Sequence, residues 1–288
     1  MRAEGAPAAA DRAVVIAHFH AGGRVQENLR LLVQALLALP ARVVFVSTGA
    51  SAEALATLPA GVRAITRPNV GYDFESYRVG IAALGDLSAL DELVLLNSSM
   101  VCIDAVKLRD RFFRAPRPDA DVFALTASRE IAPHLQSFLV GFSRRVIASE
   151  AFVSWWRDLE RVDHRDAVIG RYEIGMTAHF ARAGFRLAAA FRPTPAQRFR
   201  ALCRHFEASG EVPPIAGNAT VTLDLDAADA LNPMHFLWDA ILEEFGVMKA
   251  ELLKHNPHSI DLQHVNRMLL QDARLRALVR DVLDEPAV

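Results

Sequence analysis

The stretch RPNVGYDFESYRVGIAA, residues Arg67–Ala83, decides how the rest of the chain is interpreted. A Pro and a Gly fall within its first five residues, and the helical spacing of Tyr77, Ile81 and Leu84 follows. The short apolar run Val62–Ile65 precedes it, so the predicted order is strand, tight turn and helix. Backbone N–H groups at such a junction point outward and favour an anionic ligand.

The turn itself has polar or small residues at alternate positions, namely Asn69, Gly71 and Asp73. Gly71 lacks a Cβ atom, so backbone or ligand can approach closely there. The Asp73 carboxylate can accept two hydrogen bonds from a ribose diol or a sugar. The alternative is an ordinary turn in which Asp73 only caps the helix.

Continuous apolar runs alternate with helical patterns through the first hundred residues. Continuous rather than alternating apolarity is typical of strands that are covered on both faces. The alternation therefore predicts an α/β fold with a right-handedly wound parallel sheet. The predicted strands are Ala13–Ala17, Arg42–Ser47, Val62–Ile65 and Glu92–Leu96, and the helices between them are Asn28–Leu39, Ser51–Leu58 and the segment after Asp73.

Three polar clusters follow these predicted strands. They are His18 with His20, Asn69–Asp73, and Asn97-Ser98-Ser99. Ligands of open parallel sheets bind outside the carboxyl ends of the strands. We therefore expect the three clusters to meet at one edge of the sheet.

Beyond residue 100 the pattern is less regular. Helical spacing is predicted at Val106–Phe113, Ser149–Leu159, Tyr172–Ala183, from Asn232 onward and over 262–284, with strand-like runs at Val122–Leu125, Phe138–Phe142 and Phe185–Phe191. Four prolines, Pro193, Pro195, Pro213 and Pro214, indicate a long loop region.

Bulk composition excludes several classes of protein. A net charge of −2 over 288 residues argues against nucleic-acid binding. Two cysteines, Cys102 and Cys203, do not make a disulfide framework and fit a reducing compartment. No apolar run reaches the roughly 18 residues of a membrane span. Residues 1–11 are expected to form a disordered tail.

Several stretches, in this order along residues 69–257, are similar to the rhamnan synthesis protein F family. They are NVGYDFESYRVGI, LVLLNSSM, HLQSFLVGF, YEIGMT and NPMHFLWDAILEEFGVMKAELLKHNP. The resemblance implies a glycosyltransferase A-like fold and a glycosyltransferase of hexosyltransferase type in bacterial cell-surface polysaccharide synthesis. The implied partners are a nucleotide-sugar donor, with rhamnose one candidate sugar, and a growing glycan or lipopolysaccharide acceptor, which includes lipid-linked glycans.

The resemblance also implies roles for particular residues. In related inverting enzymes an acidic residue opens a helix that a Gly-aromatic pair ends, and here these are Glu173 and Gly184-Phe185. Glu173 is therefore the expected catalytic base. Its alternative role is a first-turn Glu that stabilises the helix through the dipole.

The resemblance does not extend to the metal-binding carboxylates of the glycosyltransferase A-like fold. Asn97 and Ser99 stand where that fold normally has an Asp-x-Asp, and Ser98 lies between them. Amide and hydroxyl oxygens are poor ligands for Mg²⁺ or Mn²⁺, so we expect no firmly bound cofactor. The leaving diphosphate would instead meet backbone N–H groups, Arg67, or the basic segment that contains Lys249 and Lys254.

Further candidates have both functional and structural interpretations. His134 and Gln136 could contact acceptor or diphosphate, or simply satisfy a polar loop. Trp155 and Trp156 could stack on a sugar, although core packing is expected for at least one. The His18-x-His20 pair also suggests a metal hydrolase on a β/α barrel, but the other strand ends supply no histidine ligands.

The sequence thus predicts a glycosyltransferase A-like, mostly parallel sheet flanked by helices in residues 12–200. A mostly helical extension, 201–288, packs on it. The expected location is the cytoplasm, at the inner face of the membrane, reached by a peripheral contact. The alternative function is a non-catalytic nucleotide- or sugar-binding module of polysaccharide assembly.

Overall fold

The structure is a computed structural model that describes residues 11–162, 164–210 and 224–284. The predicted tail therefore lies outside the described residues except for Asp11, as do Pro213 and Pro214. None of the helices in these ranges is both long and apolar enough to cross a bilayer.

Eleven strands are present in the described ranges, and seven of them form one sheet. In chain order they are β1 (Arg12–His18), β2 (Ala41–Ser47), β3 (Val62–Thr66), β4 (Glu92–Asn97), β5 (Met100–Cys102), β6 (Val122–Ala124), β7 (Ala127–Ser128), β8 (His134–Leu135), β9 (Leu139–Ser143), β10 (Leu187–Ala189) and β11 (Val247–Lys249). The main sheet has the order β10-β6-β9-β4-β1-β2-β3, in which only β9 is antiparallel to its neighbours.

Helices cover both faces of this sheet. They are α1 (Glu27–Leu37), α2 (Ala52–Leu55), α3 (Tyr72–Leu84), α4 (Ala105–Leu108), α5 (Arg144–Ile147), α6 (Glu150–Arg157), α7 (Arg165–Val168), α8 (Gly175–Arg182), α9 (Pro195–Ser209), α10 (Pro233–Phe236), α11 (Trp238–Phe245), α12 (Ala250–Lys254), α13 (Gln263–Gln271) and α14 (Ala273–Leu283). Two π-helical turns, Arg109–Phe113 and Ile169–Ile174, and a 3₁₀ turn, Leu225–Ala230, complete the described elements. The predicted fold class is confirmed.

The middle residues of the central strands are apolar because each face of the sheet has its own core. Val14 and Ile16 of β1 pack with α1 and α11, whereas Val15 and Ala17 pack with α3, α6 and α8. Successive side chains of a strand point to opposite faces, so a strand that is covered on both sides has consecutive apolar residues. This explains why the runs in β1, β2 and β4 could be recognised from the sequence.

Helix α3 lies closer to the sheet than most side chains would allow, because it meets the sheet at Gly80. A Cβ atom added there would lie 2.2 Å from Cγ1 of Val15. We expect Gly80→Ala to lower the free energy of unfolding by about 1–3 kcal/mol, since overpacking forces side chains and backbone apart. Urea unfolding would measure the change.

The matched control is Gly170→Ala, whose added Cβ would have no heavy atom within 4 Å outside its chain neighbours and its own helical backbone. That substitution should be neutral or slightly stabilising, because alanine loses less backbone entropy than glycine in a helical turn. Equal stability of the Gly80→Ala variant and the wild type would show that α3 can move away from β1.

Some predicted boundaries are wrong. The loop expected around Pro193 and Pro195 is instead the 15-residue helix α9, which has Pro195 at its first position and a capping box between Thr194 and Gln197. The single helix predicted over 262–284 is divided at Asp272, whose side chain caps α14. The proposed division of the chain at residue 200 stays a prediction, and that residue lies inside α9.

Candidate functional site

The turn between β3 and α3 is held by one arginine. The Arg67 guanidinium donates to the carbonyl oxygens of Pro68 (2.9 Å), Val70 (2.5 Å) and Tyr72 (2.5 Å) and to Ser76 Oγ (2.9 Å). Four bonds from one planar cation fix the turn before any ligand arrives. Arg67 is therefore a clamp for this turn, which differs from its predicted contact with a leaving group.

Two successive residues of the turn have left-handed backbone conformations. Gly71 has φ +70°, and a Cβ atom there would lie 2.9 Å from Cβ of Glu75. Tyr72 follows with φ +52°, which is uncommon for a residue with a side chain. Gly71 is the N-cap of α3, so the interpretation of Asp73 as the cap is wrong.

The Asp73 carboxylate, which does not cap α3, instead bonds a residue at the end of β4. Asn97 Nδ2 donates to Asp73 Oδ2 at 2.6 Å. Burial raises the pKa of Asp73 to about 6, and the negative charge of Glu173 adds to this, while Lys249, Asn97 and Arg67 act in the opposite direction. Two of the three predicted clusters, 69–73 and 97–99, are thus joined by a hydrogen bond at the carboxyl edge of the sheet, and the third, His18 with His20, follows the parallel strand β1 at the same edge.

A chain of hydrogen bonds extends from Asn97 to a lysine that is distant in sequence. Asn97 Oδ1 accepts from Ser99 N at 3.1 Å and from Ser99 Oγ at 2.6 Å. Lys249 Nζ donates to Ser99 Oγ at 3.0 Å and lies 4.8 Å from the centroid of the Phe138 ring. Strand β11 pairs with β5, and Lys249 lies opposite Met100, which brings the ammonium to this edge.

Glu173 also lies near this edge, although in a different structural setting from the one predicted. It does not open a helix but lies in the π-helical turn Ile169–Ile174, between α7 and α8. Its Oε1 accepts from the backbone N of Ser137 at 2.6 Å and from Ser137 Oγ at 2.9 Å. Its charge contributes to the raised pKa of Asp73, so the two carboxylates are electrostatic neighbours.

Two residues that support Glu173 were not predicted as parts of the site. Ser137 supplies both donors to Oε1, and the buried Tyr77 hydroxyl donates to the Ser137 carbonyl at 3.1 Å. Burial keeps the pKa of Tyr77 well above its usual value, so the hydroxyl stays protonated and can donate. The sequence had singled out Tyr77 only for its helical spacing, and no sequence signal pointed to Ser137.

The other candidates have mainly structural contacts. His18 Nδ1 bonds Ser47 Oγ at 2.9 Å and its Nε2 bonds Gln26 at 3.0 Å, while His20 Nδ1 accepts from the backbone N of Gly22. Ser98 Oγ bonds the backbone N and O of Phe19, both at 3.2 Å.

Most candidate residues from the rest of the chain also have structural contacts. His134 Nδ1 bonds the Ala132 carbonyl at 2.7 Å, and Gln136 Oε1 accepts from Thr126 at 2.7 Å. Asn69 is exposed in the turn, and Lys254 ends α12, five residues after Lys249. Trp156 is buried in the core, as predicted for at least one tryptophan of the pair, and Trp155 packs against the same cluster.

The donor set at the edge suits a metal ion poorly. Asp73 is the carboxylate bonded to this cluster, the Asn97 oxygen already accepts two bonds, and an ammonium lies on Ser99. Within the described ranges, no group of three or more His, Cys, Asp or Glu could hold a metal ion. Mg²⁺ and Mn²⁺ prefer several oxygen ligands, and a neighbouring cation repels them.

Comparison with known proteins yields one family and several distant relatives. The profile of the family described as Rhamnan synthesis protein F matches residues 43–210. An uncharacterized protein of Sinorhizobium fredii, y4gN, is 28% identical over 45% of this chain and 35% of its own length. The virulence protein VirA of Vibrio anguillarum is 24% identical over 67% of this chain and 62% of its own length.

Among solved structures, a putative nucleotide-diphospho-sugar transferase from Desulfovibrio desulfuricans G20 is similar at 14% identity. The alignment has a TM-score of 0.39 and covers 62% of this chain and 78% of that one. The chain spans between about a third and just under two thirds of the length of the curated relatives it matches.

Proposed function

Since the chain belongs to the rhamnan synthesis protein F family, we propose that it is a glycosyltransferase that moves a sugar from a nucleotide-sugar donor to a growing cell-surface glycan. Rhamnose is the first sugar to test, and the acceptor is a polysaccharide or lipopolysaccharide glycan. The proposed place of action is the cytoplasmic face of the inner membrane. We expect the protein to reach its acceptor there by a peripheral contact.

One observation supports the proposal most directly, namely the meeting of polar groups at the carboxyl edge. Asp73, Asn97, Ser99 and Lys249 form one hydrogen-bonded and charged cluster, and Glu173 interacts electrostatically with Asp73. Ligands of open α/β sheets bind at this edge. We propose that Asn69, Gly71 and Asp73 hold the nucleoside or sugar, and that Asn97–Ser99 line the diphosphate.

In the proposed reaction Glu173 is the base. The acceptor hydroxyl oxygen attacks the anomeric carbon while the bond from that carbon to the diphosphate oxygen breaks, and the hydroxyl proton passes to Glu173. Attack on the face opposite the leaving group inverts the configuration. Ser137 already occupies Oε1 with two donors, which leaves Oε2 to receive the proton.

Lys249 supplies positive charge where related enzymes use a metal ion. A lysine can neutralise a diphosphate as a point charge, and here it is held beside Ser99. We expect Lys249→Met to weaken nucleotide-diphosphate binding about 10- to 150-fold, which corresponds to the loss of one charge-assisted hydrogen bond. Titration calorimetry with nucleoside diphosphates would measure this.

Lys107→Met is the control for Lys249→Met, because it removes the same charge from α4. The Lys107→Met variant should bind nucleoside diphosphates with the same affinity as the wild type. Equal affinity of the Lys249→Met variant and the wild type would remove Lys249 from the donor site.

The donor set leads to an expectation about metal dependence. Because one carboxylate and an ammonium replace two carboxylates, activity should persist in EDTA with at most a modest loss. Assays before and after chelation would measure it, with a known Mn²⁺-dependent transferase as the positive control. An absolute requirement for Mg²⁺ or Mn²⁺, restored on titration, would contradict the prediction.

The direct test of the function is a panel of nucleotide sugars. Binding raises thermal stability by RT ln(1 + [L]/Kd), about 2.7 kcal/mol at a hundredfold excess over Kd, so a thermal-shift screen identifies the donor. Product formation with that donor and a glycan acceptor would then establish transfer. No stabilisation by any nucleoside diphosphate or nucleotide sugar would contradict the proposal.

The second candidate function is a non-catalytic nucleotide- or sugar-binding module. The observation in its favour is that Asn97 and Ser99 occupy the positions of metal-binding carboxylates in the fold that the chain resembles. Donor binding without transfer or hydrolysis, across the acceptors tested, would favour this module over the enzyme.

A further inference from the structure

A cavity lies at the same edge of the sheet as the site described above. It has a volume of about 310 Å³ and is lined by residues that follow β6, including Ser128, and by residues that follow β10, including Phe191. Strand β6 is antiparallel to β9, and β9 is antiparallel to β4, so the carboxyl ends of β6 and β4 share one edge. None of the proposed roles of Asp73, Asn97 or Glu173 uses this cavity.

The cavity has an apolar floor and a basic rim. Phe191 and Leu237 are almost completely buried and contribute apolar surface. The charged residues of the lining are Arg129, Arg192, Arg198 and Asp229, and Asp226 pairs with Arg198 from outside the lining, so the excess is one positive charge. A ligand that complements both parts has an anionic group and an apolar group.

Two of the arginines are held in place by carboxylates. Asp229 accepts from Arg198 at 3.2 Å and lies 3.5 Å from Arg129, and Arg198 also pairs with Asp226 at 2.9 Å. Arg192 is exposed and has no carboxylate partner among the described residues. The planar donors of a guanidinium group match the geometry of phosphate oxygens, so Arg192, whose charge no carboxylate of the described residues offsets, is the main group for binding a phosphate.

The amino-terminal end of α9 adds to this positive field. Pro193 and Arg198 line the cavity, and α9 begins between them at Pro195. The dipole of a helix places partial positive charge at its amino-terminal end. The arginines and the amino-terminal end of α9 therefore both favour an anionic ligand group.

A short series of hydrogen-bonded residues connects the cavity with the proposed base. Gln136 accepts from Thr126 at 2.7 Å and donates to Asn232 at 3.4 Å, and the next residue, Pro233, lines the cavity. On the other side Ser137, which follows Gln136, bonds Glu173. The cavity is thus linked to the proposed base through Asn232, Gln136 and Ser137.

We propose that this cavity binds a phosphate group attached to an apolar chain, as the anchoring end of the acceptor. The acceptor role depends on the proposed function, whereas the binding itself does not. The volume is near the lower end of the range for small-molecule pockets, so it suits a phosphate with one or two short apolar units.

Calorimetric titration with geranyl phosphate tests the proposal, with inorganic phosphate and geraniol titrated separately. We expect geranyl phosphate to bind at least about tenfold more tightly than inorganic phosphate or geraniol alone. Only geranyl phosphate can contact the basic rim and the apolar floor at the same time. Arg192→Ala should weaken this binding about tenfold or more, through the loss of one charge-assisted contact. Arg129→Ala should act in the same direction.

Arg182→Ala is the matched control, because it removes one exposed positive charge from α8, outside the cavity. An equal effect of Arg182→Ala and Arg192→Ala would overturn the proposal, as would equal affinities for geranyl phosphate and inorganic phosphate. Parallel titrations with nucleotide sugars separate the two ideas. Binding of geranyl phosphate without any donor binding would contradict the proposed function and leave this site standing.

Discussion

Replacement of Glu173 by glutamine is expected to lower kcat at least about a hundredfold and to change donor affinity little. Glutamine keeps the size of the side chain and can still accept both hydrogen bonds from Ser137 through its carbonyl oxygen. It cannot take up the proton of the acceptor hydroxyl. The effect should therefore fall on the chemical step, since general-base catalysis matters mainly in the transition state.

Single-turnover kinetics with a saturating donor would separate this step from product release. Glu150→Gln is the control, because Glu150 is exposed and lies in the first turn of α6. Calorimetric donor titration and thermal unfolding would verify that the Glu173→Gln variant is folded and binds. A folded variant with near-normal kcat would rule out Glu173 as the base.

Replacement of Asp73 by asparagine should move binding and stability in opposite directions. Donor affinity should fall about 10- to 150-fold, because a neutral oxygen replaces a charged acceptor. The free energy of unfolding at neutral pH should rise, because burial of the carboxylate is the largest influence on its pKa and outweighs Lys249, Asn97 and Arg67. A residue whose removal stabilises the fold at the expense of binding is typical of functional sites.

The stability gain should depend on pH in a defined window. The folded-state pKa of Asp73, about 6, is above the ordinary value of 3.8, so the folded protein holds this proton more tightly than the unfolded chain does. Wild-type stability from this group is therefore fully present below about pH 4 and is lost as the pH rises through 6. The difference between Asp73→Asn and wild type should grow over that interval to at most about 3 kcal/mol.

Urea unfolding at half-unit steps from pH 4 to 8 would measure the difference. Asp119→Asn is the control, since Asp119 is almost fully exposed. The difference in unfolding free energy between this variant and the wild type should not increase between pH 4 and 6. A pH-independent difference for Asp73→Asn would show that the carboxyl is hydrated in the folded protein. Wild-type donor affinity in the variant would remove Asp73 from the site.

The sheet was predictable because strands that are buried on both faces have continuous apolar runs in the sequence. Runs such as AVVIA in β1 have no polar position to confuse with a helix, and Gly184 with φ +80° ends α8 where it was expected to. Helix α9 was missed because Pro193 and Pro195 suggested a loop. A proline at the first position of a helix loses no hydrogen bond, so the Thr194–Gln197 capping box was the better signal.

The site was predictable only where its residues follow a strand. Asp73 and Asn97 meet because β3 and β4 end at the same edge, which the strand–helix alternation implies. Lys249 was a candidate by charge, but its bond to Ser99 depends on the antiparallel pairing of β11 with β5, which no local pattern encodes. Glu173 was expected at a helix start, because sequence spacing does not reveal a π-helical turn.

The bond between Lys249 and Ser99 has a consequence for the order in which the protein matures, because it joins residues 150 positions apart. At synthesis rates of about 5–20 residues per second, Lys249 leaves the ribosome about 8–30 s after Ser99. During this interval the first four strands can pair, while Asp73 and Asn97 meet without their ammonium neighbour. The paired strands can thus form before Lys249 is available, and a chain that ends before Lys249 would lack the ammonium group beside Ser99.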